Sequence, residues 1–206
     1  MFATVGSASK KANICNLTVE GSIAGNTNVG GLAGTIANAE ISNCEVNATV
    51  SGQTNVGGLT GKVVSATIDN ATNNGNVTGK GSKPQYIGGI CGLADNATIS
   101  NTVNNGAVIV DANYNANNLD VYCGGICGNI ASGAINGCNN NANVGYSVES
   151  MKKLETEENP TITPISYAGG IAGYTGETVT VTYTYADFDT EIAKFYTDGA
   201  LVCTKT

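Results

Sequence analysis

The chain has 206 residues, a formal charge of −7, and no Arg, His or Trp; all nine of its cationic side chains are Lys. Without Arg it lacks the planar fork that reads phosphates and base edges, and its acidity disfavours nucleic acid and anionic membranes. Without His, no Ser-His-Asp or Cys-His constellation can be built, and the commonest metal ligand is missing.

Only 12% of the residues are charged, against about 25% in an ordinary domain. Asn, Thr, Ser and Gly supply the polarity instead, a profile that points to a β-rich extracellular or cell-surface protein. No run approaches the ~18 apolar residues of a membrane span, so no direct membrane insertion is expected. "MFATVGSASKK" lacks the apolar core of a secretory signal, so a signal or anchor is expected only outside this sequence.

Residues 1–13 read as the tail of a preceding repeat, a partial coil or cap, with Phe2 near the position of Leu32 in the unit that follows. From residue 14 one unit recurs. Its first landmark is "ICNLTV" at 14, then "ISNCEV" at 41, "IDNATN" at 68, "ISNTVN" at 99 and "INGCNN" at 135. Its second is a hexapeptide: "VGGLAG" at 29, "VGGLTG" at 56, "IGGICG" at 87, "CGGICG" at 123 and "AGGIAG" at 168. Three apolar columns follow. One holds Ile14, Ile41, Ile68, Ile99 and Ile135; nine residues on come Ile23, Val50, Val77, Val108 and Val144; a third holds Leu32, Leu59, Ile90, Ile126 and Ile171.

The alternation in "ISNCEVNATV" has the period of a strand, its apolar positions favour β-branched residues, and glycines and asparagines punctuate it as corners. A unit of this size cannot bury its own apolar face, whereas stacked units can. The expected fold is all-β: a right-handed parallel β-solenoid of about five coils, residues 14–178, with a C-terminal strand and cap over 179–206. "TVTVTYTY" (178–185) reads as a final strand or hairpin. "DFDTEIAKFYTDGALVC" reads as a cap over an exposed edge.

The glycine pairs begin at 30, 57, 88, 124 and 169, so the step grows from 27 to 31, 36 and 45. The extra residues fall in "GKGSKPQY", "DANYNANNLDVY" and "GYSVESMKKLETEENPTITPISY", always just upstream of a hexapeptide. Stacking places these insertions on one edge, which marks either a binding face or a corner tolerant of loop drift.

"VGGLAGTIANAEISNCEVNATVSGQTN" resembles the GLUG-type repeat: VGGLxG, a short spacer, I-x-N-C, then a valine-glycine turn. The resemblance extends over residues 14–178. It departs from the pattern where Leu17, Ala71 and Thr102 replace the cysteine kept at Cys44 and Cys138, and where the last unit loses its asparagine. The resemblance implies a secreted or surface-attached, adhesin-like protein of bacteria or protists, and it brings no catalytic residues.

Just before the hexapeptides stand Asn28, Asn55, Tyr86, Tyr122 and Tyr167. Three tyrosines in consecutive coils should stack one strand spacing apart. With the amides they form either a carbohydrate platform or an aromatic ladder that only stabilises the coils. Asn16, Asn43, Asn70 and Asn101 form a further column, expected to be structural: amide ladders at left-handed corners. Among seven cysteines, Cys91 and Cys127 share a column, where they bond or simply pack. Cys123 and Cys127 make a lone C-x3-C with no His, so no zinc site is expected. Asp95 is out of place for a calcium repeat. Glu40, Glu45, Asp69 and Asp95 lie in different columns, which argues against a glycosidase pair, although the 145–166 insertion with Asp187 or Asp189 offers another.

The function expected is a non-catalytic extracellular adhesion or ligand-display module. It has no catalytic residue, cofactor or metal, belongs to a larger chain or assembly, and binds a glycan or surface protein along the insertion edge through Tyr86, Tyr122, Tyr167, Asn28 and Asn55. The alternatives are a structural spacer in a surface protein and, behind it, a polysaccharide-active β-helix enzyme.

Overall fold

The computed structural model describes residues 1–80, 85–111, 120–146, 167–182, 185–186, 195–197 and 200–203. Every element among them is a β-strand, and outside one antiparallel hairpin all strand pairs are parallel. The fold is a parallel β-solenoid. One coil shows the plan: Val29–Gly30, Ala33–Ala37, Ala39–Ser42 and Glu45–Gly52 follow one another around the core. In Glu45–Gly52 burial alternates residue by residue, because successive side chains of a strand point to opposite faces.

The landmark columns are the rungs of this stack. Ile14, Ile41, Ile68, Ile99 and Ile135 are register partners, as are Ile23, Val50, Val77, Val108 and Val144. Leu32, Leu59, Ile90 and Ile126 are fully buried and joined coil to coil through their backbones. At the ends Ile14, Leu17, Val19 and Ile171 are only half-buried, since no rung among the described residues covers them. The first face holds six stacked strands rather than five, because Phe2–Val5 lies parallel beneath Ala33–Ala37. Phe2 is level with Ala33, next to Leu32, and its amide donates to the Leu32 carbonyl. At the other end Ala172–Thr182 lies parallel on Cys127–Asn136, so the first part of "TVTVTYTY" is a coil strand and not the arm of a hairpin. The expected cap falls mostly outside the described residues; within them Phe195–Thr197 pairs antiparallel with Ala200–Cys203.

The hexapeptide glycines are packing positions. A Cβ on Gly30 would lie 2.3 Å from Thr60 Cα in the next coil, and one on Gly31 would lie 2.4 Å from Val46 Cγ1. Only a bare backbone fits between two coils and the interior side chain.

The asparagine column turns corners. Asn16, Asn43, Asn70 and Asn101 have φ of 57°, 53°, 49° and 51°, and Gly137 takes the same left-handed place at 61°. Asn70 Nδ2 donates to Asn43 Oδ1 at 2.6 Å, whereas Asn101 donates to Asp69 Oδ1 instead. A second ladder is hidden inside. Asn73 Nδ2 donates to Asn104 Oδ1 and Asn104 Nδ2 to Asn140 Oδ1, each at 2.8 Å, and all three side chains are fully buried. Each amide also donates to the carbonyl two residues on. The same column holds Val46 and Val19 in the earlier coils. On the outside Asn141, Asn105 and Asn74 donate down a parallel ladder to Asn47.

Cys91 and Cys127 are register partners and fully buried; each is a free thiol donating to a backbone carbonyl. They pack as small side chains, in line with Ala33, Thr60 and Ala172. Burial pushes the Cys123 thiol up to about 12, and burial with the neighbouring Cys127 thiol raises Cys91. Only thiolate reacts with alkylating agents. Burial also keeps the reagent out, so exposed Cys15 should be labelled by iodoacetamide while buried Cys91, Cys123 and Cys127 are protected until the chain unfolds, as mass mapping would show. Cys123 deprotonates at a lower pH when unfolded than when folded, so stability should fall as pH rises above about 9.

Candidate functional site

Each hexapeptide bends the chain so sharply that the residues before and after it meet on the outer surface. Asn28 Nδ2 donates to Thr35 Oγ1 at 3.2 Å across the first one. A Cβ on Gly34 would lie 2.6 Å from the Asn28 carbonyl oxygen, so the bend is possible only at glycine. Two columns therefore share one corner of the solenoid. The leading column is Asn28, Asn55, Tyr86, Tyr122 and Tyr167; the trailing column is Thr35, Lys62, Leu93, Asn129 and Tyr174.

The rings of Tyr86 and Tyr122 stack with centroids 4.9 Å apart and planes 26° from parallel. Tyr122 meets Tyr174 edge-on, with centroids 5.9 Å apart and planes at 79°. The Tyr122 hydroxyl donates to Asp120 Oδ2 at 3.3 Å. Tyr167 is level with Tyr122 in the backbone, and its side chain lies outside the described residues. The sequence pattern omitted Tyr174, which is 45% exposed. Its signal was its place immediately after a hexapeptide, a position that meets the leading column only once the glycine bend is made.

The geometry refines the platform expectation. Because Tyr86 and Tyr122 face each other, the ring faces between them are spent on stacking. Asn55 is only 7% exposed, and its Nδ2 donates to Asn28 Oδ1 at 2.5 Å. It braces the column from within, so Asn28 is the more accessible amide of the two. Residues 81–84, 112–119 and 147–166, most of the three insertions, lie outside the described residues.

The four carboxylates weighed from the sequence are tied to neighbours: Glu40 to Lys11, Glu45 to Asn74, Asp69 to Ser100 and Asn101, Asp95 to Ser132. Among the described residues no three of His, Cys, Asp and Glu come together as a metal site, and no helix is long and apolar enough to cross a membrane.

Residues 25–51 match the family model of the GLUG motif. No curated protein matches the chain in sequence. Among solved structures, the chain is similar to the crystal structure of a candidate immunoglobulin A1 protease from Bacteroides ovatus, with a TM-score of 0.57 and 23% identity. That match covers 86% of this chain and 53% of the other, so the chain spans about half the length of its structural neighbour. At that identity the likeness speaks to fold alone. One coil fits the motif and the rest repeat its hexapeptide in strict register: the chain is a GLUG-motif repeat protein.

Proposed function

We propose that the protein is a non-catalytic extracellular adhesion or ligand-display module that binds a glycan or surface protein at its tyrosine corner. The observation that carries this reading is the cluster of Tyr86, Tyr122 and Tyr174 on the outside of consecutive coils, near where the insertions rejoin the stack. Aromatic rings and hydroxyls beside amides suit shallow, multi-contact recognition. The absence of His and the separate partners of Glu40, Glu45, Asp69 and Asp95 favour binding over catalysis. The extracellular placement is supported by the low charge and the GLUG motif. A spacer role is the second reading, favoured by the ring-on-ring stacking, which stabilises coils without any ligand.

Glycan and matrix-protein arrays probed with the 206-residue chain separate the two. Binding is expected, and Tyr122→Ala should weaken it at least tenfold, about 1.4 kcal/mol, with the β-sheet circular dichroism unchanged. Silence across both arrays would leave only the spacer.

A further inference from the structure

We infer that a trough on a different corner, where strands such as Ala33–Ala37 turn into strands such as Ala39–Ser42, is a separate binding site for an uncharged saccharide. It arises from a motif repeated in three successive coils: "NAEIS" at 38, "SATID" at 65 and "NATIS" at 96. The first residue of each turns the corner in the left-handed conformation: Asn38, Ser65 and Asn96 have φ of 48°, 50° and 49°. The second, Ala39, Ala66 or Ala97, points inward and is too small to fill the bend. The third, Glu40, Thr67 or Thr98, points out again, and these three are register partners. Two polar rows thus run along the stack, one rung apart at each step, over a floor of Ala39 and Ala66. The space between them is about 280 Å³, close to the lower end of small-ligand sites.

The chemistry of the walls selects the ligand. Amides and hydroxyls, which both donate and accept, make up most of the lining. Asn96 Nδ2 already donates to Ser65 Oγ at 3.1 Å, which holds that wall in place. At one end Lys11 and Glu40 neutralise each other, so the trough favours neither an anion nor a cation. No aromatic or large apolar side chain lines it, so it has no pocket for the side chains of a peptide. The strand backbones beside it are bonded coil to coil, which rules out strand addition. Ser65 adds a further sign: left-handed serine is less usual than left-handed asparagine, yet it stands in the middle of the groove. A polyhydroxylated, uncharged ligand matches these features, and this site is independent of the tyrosine corner.

The test titrates the full chain with uncharged di- to tetrasaccharides of glucose, galactose, mannose and N-acetylhexosamine, followed by calorimetry and by amide shifts in NMR. At least one should bind, with shifts concentrated at residues 65–68 and 96–99. The Thr67→Val, Thr98→Val double variant, which keeps shape and β propensity, should weaken binding tenfold or more, whereas Tyr122→Ala should not. Binding unchanged in the double variant, or shifts confined to Tyr86, Tyr122 and Tyr174, would place the ligand at the other corner and overturn this site. No binding by any saccharide, or binding in the trough only by a control set of peptides, would overturn it as well.

Discussion

Replacing Gly89 by Ala should destabilise the protein by about 3 kcal/mol or more, at the upper end of overpacking effects. The added Cβ would lie 2.1 Å from the Gly125 carbonyl oxygen and 2.3 Å from Asn104 Cγ. One neighbour is backbone in the next coil, and the other is a buried amide held from below and above. Neither has a second place to go, so relief requires the coils to separate, which breaks the ladder that holds them. Gly25→Ala is the comparison, because its Cβ meets only the Val29 side chain at 3.0 Å. Urea unfolding followed by circular dichroism measures both. A loss at Gly89 no larger than at Gly25 would show that the glycine pair is not the close contact of the stack.

The second large effect is expected inside. Asn104→Val removes the acceptor for Asn73 Nδ2 and the donor to Asn140 Oδ1. It also strips Gly106 of its side-chain partner for both amide and carbonyl. Buried groups left without partners cost about 1–3 kcal/mol each, so with four bonds lost the single variant should lose roughly 4 kcal/mol or more. Changing Asn73, Asn104 and Asn140 to Val together should cost less than the three single changes added up, since it leaves no orphaned amide between them. Val46 shows that the column accepts valine against the same glycine position. The comparison is again made on unfolding midpoints, and additive losses would show that the amides act independently rather than as a ladder.

Much of the solenoid was legible in the sequence because its signals repeat: inward Ile and Val recur at fixed offsets, and period-two alternation says which residues point in. The Asn43 column could be read for a similar reason, since few residues other than Asn and Gly tolerate a left-handed corner. Asn73, Asn104 and Asn140 escaped because composition counts asparagine as surface. Its burial becomes affordable only when another coil supplies the matching amide, and no single unit shows that. Tyr174 and the alanine-floored trough escaped for a related reason. Both depend on how the chain bends between strands, and flanking positions look unrelated until a glycine or a left-handed residue brings them side by side.

The stack also keeps time. The offset between register partners is 27 for Val50 and Val77, then 31 from Tyr86 through Val108, 36 from Tyr122 through Val144, and 45 at Tyr167. At the N-terminal end it also drops from 31 along Phe2–Val5 to 27 at Ala12, across the turn at residues 6–11. From the coil of Val50 onward it changes just upstream of each hexapeptide and holds steady over most of the turn. A residue added at that point shifts no rung, whereas one added within a strand would turn its inward set outward. A further slip, between Ile130 and Ser132, is absorbed where Gly176 lies so close to Ala131 that a Cβ would come within 2.0 Å of its carbonyl oxygen. Through most of the stack the molecule therefore has a steady beat and one free measure per turn, and new sequence can be written into that measure without recomposing the core.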